Sequence, residues 1–252
     1  MQHLVAYYQN VDLGNVLTAI NAVADPSLYV VGTQVRVPTE LPFLGGAVLQ
    51  TPAATLTDMQ IQTPSLRDMF YPSLMPLSSS QVTANTPKAI PYFQRNPLPL
   101  KGMEQMQMYV QTDDAAVQDH WGLVWLQDGP LQKVEGNIFS IRATASVTLA
   151  TGSWVNGQIT FGQQLPVGDY QIVGMRATGA SLIAARCVLT GYPWRPGVYA
   201  STAANGGDNP GHRFGESGVL GTFNSNFPPS VDFFGNTGGT SQSLVFDLIK
   251  VG

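Results

Sequence analysis

Hydrophobic and polar positions alternate along much of the chain. Gln105–Gln111 sets Met106, Met108 and Val110 against Gln105, Gln107, Tyr109 and Gln111. A period of two puts each set on its own face of a strand. Ile138–Ala150 repeats the pattern, and Tyr29–Val37 ends in it, with Val35 and Val37 opposite Gln34 and Arg36. Trp121–Gln127, Tyr170–Arg176, Ser181–Thr190 and Gln242–Val251 are denser apolar runs of strand length. Ala47–Gln50 and Leu56–Gln62 read as two shorter strands. Asp128-Gly129-Pro130 and Thr151-Gly152-Ser153 are turn signals. Asn156-Gly157 predicts a type I′ hairpin between Trp154-Val155 and Gln158–Phe161. The spacing predicts about ten to twelve strands in an antiparallel sandwich or barrel.

Helical spacing is confined to the N-terminus. Val11, Leu13, Val16, Leu17, Ile20 and Val23 predict a short helix, capped by Asp12 or Asn10 and ended by Asp25-Pro26. One further helical turn is expected after Pro64. Two long excursions interrupt the strands, at residues 72–100 and Gly191–Gly239. The first carries Leu74, Ile90, Tyr92 and Phe93, so it is read as packed on its own body or on a neighbour rather than as a solvated linker. The organisation predicted is an N-terminal helical arm (1–28), a first β-sandwich (29–130) and a second (131–252). Each sandwich contains one excursion, which suggests duplication at the level of architecture.

Charge is scarce: 12 basic and 16 acidic residues make up 11% of 252 positions. An average soluble domain carries about 25%. The outward strand positions hold Gln, Thr and Ser where a monomer usually keeps Lys or Glu. That pattern predicts extensive covered surface. Residues 1–128 carry five basic and ten acidic groups, and residues 129–252 carry seven and six. No basic arm is present, so direct sequence-specific nucleic-acid binding is not expected. Met1 is followed by no cationic segment with an apolar core, so no secretory signal is expected. The single Cys187 lies in an apolar run and reads as an inert buried thiol.

Catalytic chemistry has no signature here. There is no Gly-x-Ser-x-Gly elbow and no phosphate-binding glycine loop, and Glu occurs at only four positions (40, 104, 135 and 216). Asp208, His212 and Glu216 would share a face if helical, but the surrounding glycines and Pro210 forbid a helix. Asp113, Asp114 and Asp119 lack the pattern of a Ca²⁺ loop. No enzyme, cofactor or metal is therefore expected. The informative residues are aromatic and sit in loops: Tyr192, Trp194, Tyr199, Phe214 and Phe227, with Arg195 among them. Such residues are favoured at protein interfaces. They equally suit rings that cap their own sandwich, or a carbohydrate-stacking platform.

The strand series and the loop Gly191–Tyr199 (GYPWRPGVY) together resemble the jelly-roll major capsid proteins of tailless icosahedral viruses and phages. The double jelly-roll type is nearest in layout; one roll with long loops also fits the length. The resemblance covers the whole chain as organisation and includes no diagnostic motif. It implies a mostly β protein of two tandem antiparallel jelly rolls that self-assembles into trimeric, pseudo-hexagonal capsomers of a shell. Its location would be the virion, after assembly in the host cytoplasm. Its partners would be further copies of itself, other virion proteins and an internal membrane. Tyr192, Trp194, Arg195, Tyr199, Phe214 and Phe227 are the expected subunit-interface residues. The competing expectation is a carbohydrate-binding sandwich, lectin-like or receptor-binding, that stacks sugars on the 192–199 loop.

Overall fold

The computed structural model describes residues 1–51, 56–68, 94–112, 116–200 and 212–251. The chain divides into two compact units. One comprises Met1–Leu4 and Leu131–Gly252, and the other is drawn from Val5–Ala84 and Lys88–Pro130. Both are built of β-sheets. The described helix is only α1 (Pro64–Asp68), and among the described residues no helix is long and apolar enough to cross a membrane.

The N-terminal unit holds β1 (Gln2–Val11) from Val5 onward, β2 (Thr18–Ala19), β3 (Val30–Val31), β4 (Gln34–Arg36), β5 (Phe43–Gln50), β6 (Leu56–Gln62), β7 (Leu98–Pro99), β8 (Gln105–Thr112) and β9 (Gln118–Gln127). One sheet has the order β1-β9-β5-β7. The other has β2-β8-β4-β3, with β6 also paired to β8. Strand β8 follows its sequence pattern: Met106, Met108 and Val110 are buried, and Gln107, Tyr109 and Gln111 are half-buried on the other face. Amide hydrogen bonds hold that other face together. Gln62 Nε2 donates to Gln60 Oε1 (2.8 Å), Gln60 Nε2 to Asp58 Oδ2 (2.7 Å) and Gln107 Nε2 to Thr33 Oγ1 (2.8 Å). Gly122 on β9 leaves room for Met108 and Tyr7, which a Cβ would strike.

The C-terminal unit holds β10 (Phe139–Ser146), β11 (Trp154–Gln158), β12 (Thr160–Phe161), β13 (Asp169–Gly179), β14 (Leu182–Val188), β15 (Gly197–Tyr199), β16 (Gly221–Asn224), β17 (Ser230–Gly235) and β18 (Ser241–Lys250). Its sheets have the orders β12-β10-β18-β13-β16 and β11-β17-β14-β15. The antiparallel pairings are nested: β10 with β18, β11 with β17, β13 with β16 and β14 with β15. Two further pairings, β13 with β18 and β14 with β17, close the sheets. Ile141, Tyr170, Met175 and Phe246 from one sheet and Leu182, Cys187 and Phe233 from the other share one core cluster. The N-terminal unit repeats the nesting, since β9 lies between β1 and β5, β5 pairs with β7, and β8 pairs with β2 and β6.

Several expectations are corrected. The N-terminal arm is not helical: Gln2–Val11 is a strand, and Asp12 Oδ1 accepts the Gly14 N–H (2.8 Å) in a turn. The side chain read as a helix cap instead closes that turn, which Gly14 completes at φ +51°. Tyr29–Val37 is a hairpin, β3 and β4 turning at Gly32 (φ +58°). Asn156-Gly157 lies inside β11, not at a turn. Asn156 Nδ2 donates to Asp232 Oδ1 (2.9 Å), and a Cβ on Gly157 would sit 3.1 Å from the Phe233 ring. The excursion Gly191–Gly239 contains three strands, β15, β16 and β17. Residues 72–93 of the first excursion, Asp113, Asp114 and Asp208 lie outside the described residues.

Candidate functional site

Tyr192 and Phe227, distant in sequence, line one cavity of 520 Å³ in the C-terminal unit. Tyr192 stands on the loop after β14, where its N–H donates to Leu189 O (3.2 Å) and Gly191 takes φ +81°. Phe227 ends a tight turn after β16. Its N–H donates to Asn224 O (2.8 Å), and the Asn226 N–H donates to Asn224 Oδ1 (3.0 Å). Backbone and side-chain bonds between Gly168 and Ser225 tie that turn to the start of β13. Phe223, stacked on Tyr170 at 5.6 Å between ring centres, also lines the cavity. The polar lining includes Asp169, Thr222 and Asn224. Asn224 Nδ2 donates to Asp169 Oδ1 (2.7 Å), which fixes the carboxylate plane. Both rings stay largely in the open: Tyr192 is 41% exposed and Phe227 71%.

Trp194 and Arg195 belong to a different cluster, one that fastens the N-terminus. The Arg195 N–H donates to His3 Nδ1 (3.0 Å), and the Leu4 N–H donates to Arg195 O (3.0 Å). His3 and Trp194 meet edge to face, 5.8 Å between centres. Beneath them Asp232 on β17 collects charge. Its Oδ2 accepts from Arg186 Nε (3.0 Å) and Arg195 Nη1 (2.5 Å), and its Oδ1 from Asn156. Arg186 is fully buried, donates to Leu4 O (3.0 Å) and lies 4.0 Å from the Trp154 ring centre. A buried guanidinium is tolerable only with such pairing and stacking.

The remaining expected interface residues fall elsewhere. Tyr199 is 6% exposed in β15 and packs in the sandwich, so it offers no contact surface. Phe214 is 53% exposed at φ +52°, with the Arg213 guanidinium 4.5 Å from its ring centre. Its N–H donates to Asp247 Oδ2 (2.9 Å), which also accepts from Arg213 Nε (2.7 Å). Ser140 Oγ donates to Asp247 Oδ1 (2.6 Å). Burial works to raise the Asp247 carboxyl, but the bonds from Arg213, Ser140 and Phe214 outweigh it and hold it below its ordinary range.

The groups weighed as chemical candidates are engaged in packing. Burial, with Asp232 nearby, pushes the Cys187 thiol up to about 12, so it is no nucleophile at neutral pH. His212 is fully buried beside Ser217, and burial pushes it down to about 3. Glu216 pairs with Lys133 (3.0 Å). Burial lowers His120, whose Nε2 lies 3.1 Å from Val11 O. Asp119 accepts from Tyr8 OH (2.7 Å) and Asn10 Nδ2 (2.8 Å). Among the described residues no three His, Cys, Asp or Glu side chains converge as metal ligands.

Sequence reasoning missed Asp169, Thr222 and Asn224. They come from separate strands, and no local spacing announces them. The cavity offers exposed rings beside a carboxylate–amide pair fixed by a hydrogen bond, an arrangement suited to binding. No family model, curated protein or solved structure matches the chain.

Proposed function

We propose that the chain is a structural virion protein, two tandem jelly rolls that self-assemble as trimeric, pseudo-hexagonal capsomers of an icosahedral shell. A jelly roll is a long antiparallel ladder wound on itself, so its first strand pairs with its last, its second with the next to last, and so inward. The observation that carries the reading is the nesting of β10–β18, with the N-terminal unit's β1-β9-β5-β7 order paralleling β10-β18-β13-β16. Three copies, each with two similar rolls, would give six near-equivalent lobes. In this reading the chain is not an enzyme. Its partners are its own copies, other virion proteins and an internal membrane, and it works in the virion after assembly in the host cytoplasm.

The surface supports the same reading. Glutamine amides, with Asp58 the one charged partner in this chain of bonds, knit the β6 face, and Tyr29 and Val31 stand 64% and 55% exposed on the β3–β4 hairpin. Neutral faces and open apolar side chains suit a protein covered by its neighbours. Negative-stain imaging of purified protein tests the proposal. Three-fold, six-lobed particles or closed shells are expected, and a field of dispersed single subunits under every salt condition would overturn it.

A further inference from the structure

We infer that the cavity between Tyr192 and Phe227 is a binding site for a neutral saccharide, through one sugar ring with neighbouring hydroxyls. The inference holds whether or not the chain builds a shell. A sugar ring presents an apolar face of C–H groups and a polar edge of paired hydroxyls. Recognition needs an aromatic platform for the first and, side by side, an acceptor and a donor for the second.

This cavity holds both. Phe227 and Tyr192 supply ring surface that is exposed at 71% and 41%, and main-chain hydrogen bonds fix the backbone of the tight turns that carry them. Asn224 Nδ2 spends one hydrogen on Asp169 Oδ1, and Asn224 Oδ1 accepts from the Asn226 N–H. What the pair keeps for a ligand is Asp169 Oδ2 as acceptor and the second Asn224 amide hydrogen as donor. One hydroxyl can donate to the carboxylate while its neighbour accepts from the amide. Bonds to a charged acceptor are the stronger kind. Thr222 Oγ1, 3.5 Å from Tyr192 OH, adds a third polar group. The volume of 520 Å³ falls in the range of about 300–1,000 Å³ usual for small-ligand sites. Asp169 also selects against acidic sugars, because a second carboxylate or a sulfate would face its charge.

The test is a glycan array carrying neutral (galactose-, glucose- and mannose-terminated), sialylated and sulfated oligosaccharides, followed by calorimetric titration of the strongest neutral binder. Neutral glycans should be retained and acidic ones not. Asp169→Asn and Phe227→Ala should each weaken binding about tenfold or more. Phe227 is so exposed that its truncation leaves the fold intact, so that variant reads the site even if Asp169→Asn proves unstable. Three results would overturn the inference: no neutral glycan retained, a preference for acidic glycans, or equal affinity in both variants. A Phe227→Ala protein that loses self-association, from a parent that binds no glycan, would assign the surface to a second copy of the chain.

Discussion

The Arg186 guanidinium lies 4.0 Å from the centre of the Trp154 ring while its Nε donates to Asp232, 46 positions along the chain. Set against the indole, with its Nε–H bonded to a carboxylate and another N–H to Leu4 O, it joins β11, β14, β17 and the first residues of the chain. The charge is buried, so its removal takes from Asp232 its fully buried partner and leaves the half of the pair that Arg195 and Asn156 hold.

Arg186→Met is therefore expected to destabilise the protein by about 3–5 kcal/mol, the usual cost of breaking a buried ion pair from one side. Arg195 and Asn156 still reach Asp232, which places the loss toward the lower end. The midpoint of urea unfolding, followed by circular dichroism, measures it. A loss below 1 kcal/mol would mean that Arg195 alone neutralises Asp232.

Gly197 and Gly122 should respond differently to alanine. A Cβ on Gly197 would lie 2.6 Å from Ala185 O and 2.7 Å from Leu4 Cδ2, and the backbone carbonyl cannot step aside. On Gly122 the nearest obstacle is the flexible end of Met108. Gly197→Ala should cost about 2–3 kcal/mol and Gly122→Ala about 1 kcal/mol, within the range for overpacked cores. Paired denaturation curves give the comparison, and the reverse order would contradict the packing.

Acid should act through His212. Buried, it takes up a proton only near pH 3, whereas the unfolded chain's imidazole titrates near 6.5. Between those values the unfolded state holds the extra proton, so stability declines as pH falls through that window. The slope for one such group is about 1.4 kcal/mol per pH unit. His212→Gln removes this contribution. Its unfolding midpoint should change less between pH 6.5 and 4 than that of the parent, and an unchanged slope would show that other groups carry the acid response.

Much of the sheet structure was legible in the alternation. Met106, Met108 and Val110 point inward because period two leaves no other arrangement, and the Gln face is half-covered because amides satisfy one another there. The N-terminal segment misled because its apolar spacing mimics a helix, while Asp12 and Gly14 encode a turn through a side-chain bond that periodicity does not register. Strands β15–β17 were hidden by glycine and brevity: Gly197, Gly221 and Gly235 serve close packing rather than loops. Of the cavity, only the rings were visible. Asp169 and Asn224 are 55 positions apart, and only the β13–β16 pairing brings them together.

Mass in solution tests the shell reading most directly. Light scattering coupled to size exclusion, run across protein and salt concentration, should find species of three times the 27.0 kDa chain mass or larger. A single 27.0 kDa species throughout would contradict it.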